Sequence, residues 1–225
     1  MSKEHVWPIL RFLHDEAVVK KTQNNLPHWQ FENSTVFLTF RLADSIPADI
    51  LKSWKFERDT WLREYPQPWS TELEMEYQKR FSGAIDRYLD EGLGSCILRN
   101  PANAKIVGDA FQHFDHDRYL IHAWVIMPNH VHLLFSLKKD VALESIVTSW
   151  KRFTSRSIGE GPLWQRDYFD RLIRDWDHFI NVARYIYKNP IKAKLREKDH
   201  FLYLAPWVAE LLEKKAISQS FYSSD

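Results

Sequence analysis

Residues 118–137 read RYLIHAWVIMPNHVHLLFSL and contain two apolar runs, over 119–126 and 131–137. The Met-Pro-Asn sequence at 127–129 separates the runs, and Pro-Asn is typical of turns. Two apolar runs joined by so short a turn predict an antiparallel β-hairpin. The sequence on either side of this hairpin completes the fold.

Hydrophobic periodicity and turn residues mark further strands and helices around the hairpin. Runs rich in β-branched and aromatic residues predict strands, and apolar residues spaced three and four apart predict helices. The predicted strands are 35–42, 96–98 and 163–173. The predicted helices are 48–63, 71–92, 101–113, 142–158, 175–189 (which Pro190 terminates) and 207–215. Helices mixed with a largely antiparallel sheet predict an α+β fold.

The composition describes a chain that can bury a large core. Hydrophobic residues make up 44% and charged residues 27% of the 225 positions, which argues against a disordered protein. Aromatic residues reach 15%, with ten Trp, and their rings either fill the core or stack on bases. A net charge of +1 is low for a nucleic-acid-binding protein, so that function would need a local basic patch.

The cysteine content and the lack of targeting signals exclude further kinds of site and classes of protein. The single cysteine, Cys96, excludes an intrachain disulfide and a Cys-based zinc site. Residues 1–20 lack the apolar core and cleavage site of a signal peptide, and no apolar run approaches membrane-spanning length. These features predict a soluble cytoplasmic protein.

Two histidines on the second strand of the hairpin are the first candidate functional residues. Side chains alternate along a strand, so His130 and His132 share one face while Val131 points to the other. Two neighbouring imidazoles can share one metal ion. From spacing alone, the pair is equally well explained as two histidines that face solvent.

A tyrosine and an asparagine share one face of the predicted helix 175–189. Tyr185 and Asn189 are four residues apart and lie on the same arc, whereas Tyr187 falls nearer the apolar side. Such a face offers a phenol nucleophile and, one turn away, a carbonyl oxygen that can ligate a hard cation. Taken alone, the helix also fits a boundary tyrosine and a helix C-terminal asparagine.

Three segments together resemble the REP-associated tyrosine transposases, which are single-tyrosine HUH (IS200-like) transposases. The segments are AWVIMPNHVHLLF at 123–135, LWQRDYFDRLI at 163–173 and ARYIYKNPIKAKL at 183–195. Their order and spacing fit the family over about 35–200, most densely from 118 to 195. The joint pattern of His-x-His on a strand and Tyr-x-x-x-Asn on a later helix is more specific than either half.

The resemblance implies a ferredoxin-like HUH domain of the α+β class, with a central antiparallel sheet flanked by helices. We expect this domain over 34–198, with a helical insertion at about 44–95. Residues 1–33 are then an N-terminal extension and residues 199–225 a C-terminal tail.

The resemblance also implies an activity. His130 and His132 would bind a divalent metal ion, Mg or Mn, and Asn189 occupies the position of a third ligand. Tyr185 would attack a phosphodiester of single-stranded DNA and leave a 5′-phosphotyrosine link. The implied partners are single-stranded or hairpin DNA from repetitive palindromic elements and, as in related transposases, a second copy of the chain.

Basic residues between the hairpin and the tyrosine helix are candidates for binding DNA phosphates. Lys151, Arg152 and Arg156 fall at helical spacing, and Arg166 follows. Nearby acidic residues partly neutralise this segment, so a solvated helix face explains the pattern equally well. Trp164 and Tyr168 could stack on bases or belong to the core.

Two other functions stay open from the sequence. A catalytically silent protein that recognises DNA hairpins would bind them without cleavage. A metal-dependent phosphodiesterase would turn over repeatedly without a covalent protein adduct. The complete set of two histidines, a tyrosine and an asparagine favours the nicking and joining enzyme, because a binding protein has no need of all four residues.

Overall fold

A computed structural model of the chain describes residues 10, 20–23, 27–30, 34–66, 69–159 and 161–222. Its strands are β1 (Lys20–Gln23), β2 (Pro27–Gln30), β3 (Thr35–Arg41), β4 (Tyr119–Ile126), β5 (His130–Leu137), β6 (Phe169–Leu172) and β7 (Phe201–Leu204). Its α-helices are α1 (Ala48–Glu64), α2 (Thr71–Tyr77), α3 (Gly83–Asp90), α4 (Pro101–Gln112), α5 (Leu143–Ile158), α6 (Trp176–Lys192) and α7 (Pro206–Tyr222).

Several helix ends follow directly from capping residues. The Asn100 side chain accepts a hydrogen bond from the Ala102 amide at 2.9 Å, and Pro101 occupies the first turn of α4. The Asp175 side chain accepts from the His178 amide at 2.7 Å and caps α6 in the same way. Helix α5 ends at Gly159, which adopts a φ of 78°.

A five-stranded antiparallel sheet forms the centre of the molecule, with the strand order β6-β3-β5-β4-β7. The elements β3-α4-β4-β5-α5-β6 follow one another as in a ferredoxin-like fold, and their strands lie in the order that this fold requires. The predicted α+β class with a central antiparallel sheet is therefore confirmed. β7 pairs with β4, so the sheet continues beyond residue 198.

The predicted hairpin is β4 and β5, and it lies in the middle of the sheet. Ile126 pairs with Val131 across the turn, and the Met127 amide donates to the His130 carbonyl oxygen at 2.9 Å. On its other side β5 pairs with β3, which sets Thr39 opposite His132 and Arg41 opposite His130. The histidines are thereby fixed in register by two neighbouring strands.

The two faces of the sheet are covered by different helices. Val131, Leu133 and Phe135 belong to one core cluster, together with residues of α4 and α5. Leu134 on the same strand belongs to a second cluster, which contains residues of α6 and α7. The predicted alternation along β5 is confirmed, and the histidines lie on the face that α6 covers.

Between β3 and α4 the chain forms helices α1 to α3, called the insertion below, which have a small core of their own. Trp54, Trp61 and Phe81 are buried there. The Trp54 indole donates to the Phe81 carbonyl oxygen at 3.1 Å and packs edge-on against Phe169 of β6. This contact attaches the insertion to the edge of the sheet.

Local structure departs from the sequence-based expectations at several points. The single helix expected over 71–92 is α2 and α3, joined by a π-helical turn at Gln78–Ser82. The strand expected at 96–98 is wrong, because Cys96 has a φ of 51° and Ile97–Arg99 forms a 3-10 turn. In the segment 163–173, only Phe169–Leu172 is a strand, with an isolated bridge between Trp164 and Leu42.

Pro190 does not end α6, which continues to Lys192. Proline removes one amide donor, but the following turn is held by other bonds. The Ala193 amide donates to Asn189 and the Leu195 amide to Pro190, at 3.0 and 2.9 Å. The helix therefore carries Asn189 inside its last turns, with its side chain still aimed at the sheet.

The terminal segments differ from a plain extension and tail. A two-stranded hairpin, β1 with β2, lies within the predicted N-terminal extension. The rest of residues 1–33, apart from Leu10, falls outside the described residues. The tail helix is longer than predicted, since α7 spans Pro206–Tyr222. Within the described residues, no helix has the length and apolar character to cross a membrane.

Candidate active site

His130 and His132 lie side by side beneath α6. Each is only 1% exposed. Their Nε2 atoms are 3.1 Å apart, and their ring centroids are 4.7 Å apart. The interpretation of the pair as solvent-facing histidines is therefore wrong, because both rings are buried.

The opposite ring nitrogens are held by hydrogen-bonding partners. His130 Nδ1 lies 2.7 Å from Asn129 Oδ1, and the Asn129 amide is fixed because its Nδ2 donates to the Leu93 carbonyl oxygen at 3.0 Å. An amide oxygen only accepts, so His130 carries its proton on Nδ1. His132 Nδ1 lies 2.7 Å from Thr39 Oγ1, which can accept in the same way. With the protons on Nδ1, both Nε2 atoms carry free lone pairs, and they lie 3.1 Å apart, close enough to ligate one ion.

Burial keeps both imidazoles neutral at physiological pH. Desolvation, followed by the charge of Lys192, lowers the pKa of His130 to about 3. Desolvation also lowers the pKa of His132 well below its ordinary value, with smaller effects from His130 and Lys192. Neutral imidazole is the form that ligates metal ions, so the pair needs no deprotonation before binding.

Tyr185 of α6 brings its hydroxyl group to the histidine pair. The hydroxyl oxygen is 3.4 Å from His132 Nε2. Phe37 of β3 contacts both rings, stacked on His132 at 5.5 Å and edge-on to Tyr185 at 5.8 Å. Desolvation raises the pKa of the Tyr185 phenol, and the charge of Asp86 raises it further. The hydroxyl group is therefore protonated in the resting protein.

Asn189 lies one turn further along α6, and its side chain is also buried against His132. Its Nδ2 is 3.5 Å from His132 Nε2. Its Oδ1 is buried and has no hydrogen-bonding partner among the described residues. Because the two amide atoms exchange places when the amide turns over, this oxygen can take the position next to the histidine pair.

These donors fit a divalent cation. Within the described part of the chain, no cluster of three or more His, Cys, Asp or Glu side chains could hold a metal ion. The convergent set here consists of two imidazoles and one amide. An unpartnered buried oxygen is costly, and ligation of a cation by Asn189 Oδ1 would remove that cost. The set leaves coordination positions free for phosphate and water.

The inserted helices contribute two acidic residues that the sequence analysis did not identify. Asp86 of α3 lies within hydrogen-bonding reach of the Tyr185 hydroxyl group, and its charge raises the pKa of the phenol. Asp90, one turn later, accepts a hydrogen bond from Lys192 Nζ at 2.8 Å. No spacing in the sequence links residue 86 to residue 185, because their proximity depends on how the insertion packs.

The predicted phosphate-binding residues differ in their surroundings. Lys151 Nζ donates to three backbone carbonyl oxygens, those of Gln165, Arg166 and Asp167, at 2.9 to 3.1 Å. A phosphate contact would have to replace one of these bonds. The side chains of Arg152, Arg156 and Arg166 are exposed. They lie on α5 and the loop after it, and Arg152 and Arg166 line a shallow groove there.

The remaining aromatic candidates lie away from the histidine pair. Trp164 and Tyr168 are buried in the core beneath α5, so their interpretation as core residues is confirmed. The Trp164 indole donates to Thr154 Oγ1 at 2.7 Å. Tyr187, expected nearer the apolar side of α6, is 45% exposed and faces away from the pair.

The segment that carries this site resembles a known protein family. Residues 104–189 match the family model described as "Transposase IS200 like". Over these residues the chain is similar to the IS200-like transposases. The matched segment includes His130, His132, Tyr185 and Asn189, whereas Asp86 lies outside it. The resemblance predicted from the sequence is confirmed.

Two curated proteins are similar in sequence to part of the chain. A "REP-associated tyrosine transposase" of Escherichia coli (strain K12) is 30% identical over 73 residues, which are 32% of this chain and 44% of that protein. An "Uncharacterized protein" of Haemophilus influenzae is 29% identical, over 32% of this chain and 54% of that protein. The chain spans about half the length of the curated relatives that it matches.

A solved structure also resembles the chain. It is described as the structure of a REP-associated tyrosine transposase bound to a REP hairpin. The TM-score is 0.44 at 19% sequence identity, and the match covers 76% of this chain and 74% of that chain.

Proposed function

We propose that the protein nicks and rejoins single-stranded DNA through a covalent link to Tyr185, with a divalent metal ion bound beside it. One observation carries the proposal. The Nε2 atoms of His130 and His132 lie 3.1 Å apart, with the Tyr185 hydroxyl oxygen 3.4 Å from His132 Nε2. A binding protein has no need for a nucleophile placed against a pair of buried neutral imidazoles.

The residues divide the work in a defined way. His130, His132 and Asn189 would hold the metal ion through Nε2, Nε2 and Oδ1. When bound, a divalent cation neutralises the non-bridging oxygens of a scissile phosphate and stabilises the charge that develops in the transition state. Imidazole ligands favour Mn over Mg, although both take the octahedral geometry that phosphoryl transfer uses.

Tyr185 would attack the phosphorus atom of the scissile phosphodiester. A bond forms between its phenol oxygen and phosphorus, and the bond between phosphorus and the 3′-oxygen breaks. The products are a 5′-phosphotyrosine link and a free 3′-hydroxyl end. The covalent link preserves the phosphodiester energy, so attack by a 3′-hydroxyl group can rejoin the strand without ATP.

The substrate class comes from the family comparison and the surface charge. The E. coli relative is named for its association with REP elements, which suggests hairpin DNA as the substrate here. Arg152, Arg156 and Arg166 are exposed and would contact phosphates along the strand. Lys151 is better described as a structural residue, because its amine is held by three carbonyl oxygens.

A denaturing gel tests the proposal. The purified protein is incubated with labelled single-stranded hairpin DNA from the flanks of its own gene, with Mn or Mg. We expect a DNA-shifted protein band that disappears in Tyr185→Phe and persists in Tyr187→Phe, since Tyr187 faces away from the histidines. EDTA should abolish the band in every variant.

The alternatives predict different gels. Hairpin binding without a shifted band, with every metal tested, would identify a silent recognition protein. Repeated strand cleavage without a covalent adduct would identify a hydrolytic phosphodiesterase. Either result overturns the proposal.

A further inference from the structure

Helix α3 is anchored against α6 at the end where the site lies. Ile85 and Leu89 are buried in the core of the insertion, which fixes the rotation of α3. Asp90 of α3 pairs with Lys192 of α6 at 2.8 Å, and the Asp90 side chain is largely buried. Asp86, one turn before Asp90, therefore faces α6 beside Tyr185.

The Asp86 carboxylate lies within hydrogen-bonding reach of the Tyr185 hydroxyl group. Because an ionised carboxylate only accepts hydrogen bonds, the phenol O–H is the donor in this interaction. Asp86 is mostly buried, and burial raises its pKa to about 6, while the hydrogen bond from Tyr185 opposes that shift. The charged neighbours of Asp86 are Asp90, Lys192 and Arg171.

A mostly buried carboxylate costs stability, because its charge loses hydration. Lys192 of α6 is already paired with Asp90. Perturbed acidic groups that touch a nucleophile are typical of catalytic sites. The position of Asp86 thus calls for an explanation in terms of Tyr185 itself.

We propose that Asp86 is the proton acceptor for Tyr185, so that the helical insertion supplies a catalytic residue to the site. This inference rests on the proposed function. It assigns a chemical role to a segment that lies outside residues 104–189, where the chain resembles the IS200-like transposases.

Nicking transfers one proton and exchanges one bond at phosphorus. The phenol O–H bond of Tyr185 breaks, and its proton moves to a carboxylate oxygen of Asp86. The phenol oxygen forms the new bond to phosphorus, and the 3′-oxygen leaves with the electron pair of the broken P–O bond and takes a proton from water. In the joining direction, a 3′-hydroxyl group loses its proton to water as it attacks, and Asp86 returns its proton to the departing phenolate.

Single-turnover adduct formation in Asp86 variants tests this role. Loss of a general base costs typically about 10²- to 10⁴-fold in rate, so we expect that loss in Asp86→Asn and Asp86→Ala. Hairpin affinity and the unfolding midpoint should stay near the wild-type values in Asp86→Asn, which preserves size and shape. Glu91→Gln is the matched control, because Glu91 is exposed just after α3.

Chemical rescue separates proton transfer from a structural effect. Formate and acetate should restore adduct formation in Asp86→Ala, acetate more strongly at equal concentration of bound anion, because it is the stronger base. They should have no effect on Tyr185→Phe or on the wild-type protein. If Asp86→Ala does not fold, the rate of adduct formation in Asp86→Asn decides. A lower rate supports the proposal, and an unchanged rate overturns it.

The outcomes distinguish the two proposals. If the wild-type protein forms no adduct, the proposed function fails and the role of Asp86 fails with it. If the wild-type protein reacts and Asp86→Asn reacts at the same rate, only the proposal for Asp86 is overturned. A rate loss that carboxylates cannot rescue, accompanied by a lower unfolding midpoint in Asp86→Asn, also overturns it in favour of a structural role.

Discussion

The histidine pair depends on residues that hold the far side of each ring. Asn129 Oδ1 accepts from His130, and the Asn129 amide is itself tied to the Leu93 carbonyl oxygen. Thr39 Oγ1 contacts His132 Nδ1 from the neighbouring strand. Partners of this kind fix the tautomer of a ligating histidine and raise its basicity.

Replacement of Thr39 tests this arrangement. Thr39→Val removes the hydroxyl group but keeps the branched shape on β3. We expect the dissociation constant for Mn to rise by about 10- to 100-fold, as is typical when the partner of a ligating histidine is lost. Isothermal titration calorimetry without DNA measures the affinity directly.

The same strand offers a matched control. Thr35 is also buried, and its hydroxyl group contacts Ser136 at 2.8 Å, four residues along β5 from His132. Thr35→Val should leave the affinity for Mn unchanged. Equal affinities in the two variants would show that Thr39 does not orient a metal ligand.

Residue-level prediction from the sequence succeeded where spacing within one element decides the geometry. Alternation along β5 brings His130 and His132 together, and helical spacing brings Tyr185 to Asn189. It did not find Asp86 or Thr39, because their contacts join separate elements. Asn129 was assigned to a turn, and nothing in its own residue type showed that its side chain also holds His130.

At the scale of elements, α5 is joined to the loop that follows it by the side chain of Lys151. Besides its three carbonyl partners, Lys151 Nζ lies 5.5 Å from the Phe40 ring centre and 5.4 Å from that of Tyr168. A positive charge enclosed in this way stabilises the path of the loop. Helical spacing placed Lys151 beside Arg152 but gave no sign that their surroundings differ.

Variants of these two neighbours should therefore separate stability from DNA binding. Lys151→Met leaves three carbonyl oxygens without their donor, and we expect a loss of about 2–4 kcal/mol in the free energy of unfolding. Arg152→Gln on the exposed face should change that free energy by less than about 0.5 kcal/mol. Urea unfolding at pH 7 measures both.

For DNA binding, we expect Arg152→Gln to have the larger effect of the two variants. Arg152→Gln should reduce the slope of log affinity against log salt concentration by about 0.7, the value for one phosphate contact on a single strand. If Arg152→Gln left the slope unchanged, the exposed face of α5 would not be part of the DNA surface.

At the scale of the whole molecule, the sheet separates two cores of different character. One face is packed with apolar residues beneath α4 and α5, and the other holds buried polar groups beneath α6 and α7. The α+β class and most elements could be predicted from periodicity. The packing of α1 to α3 against the sheet and the pairing of the fifth strand β7 could not be predicted. Both depend on contacts between residues that are far apart in the sequence.

His122 is a buried histidine in the core beneath α6 and α7, outside the site, and it makes the stability of the folded protein depend on pH. His122 lies between Phe179 and Trp207, and its Nε2 is 2.7 Å from Ser136 Oγ. Burial lowers its pKa to about 3, whereas an unfolded histidine titrates near 6.5. Protonation therefore favours the unfolded state, and the stability present above about pH 6.5 is lost as the pH falls towards 3.

Comparison with His122→Gln isolates this contribution. Urea unfolding at pH 6.5, 5.5 and 4.5 should show the wild-type protein losing stability faster than the variant, by up to about 1.4 kcal/mol per pH unit. Parallel losses in the two proteins would contradict the assignment, since every other titrating group is common to both.

Mass spectrometry can show whether the DNA is attached to the phenol oxygen of Tyr185. After reaction with hairpin DNA and Mn, nuclease and trypsin digestion release the peptide 185–188, which contains both Tyr185 and Tyr187. Fragmentation of that peptide assigns the attached nucleotide to one tyrosine. We expect the phosphonucleotide on Tyr185; a phosphonucleotide on Tyr187, or cleaved DNA with neither tyrosine modified, would show that Tyr185 is not the nucleophile.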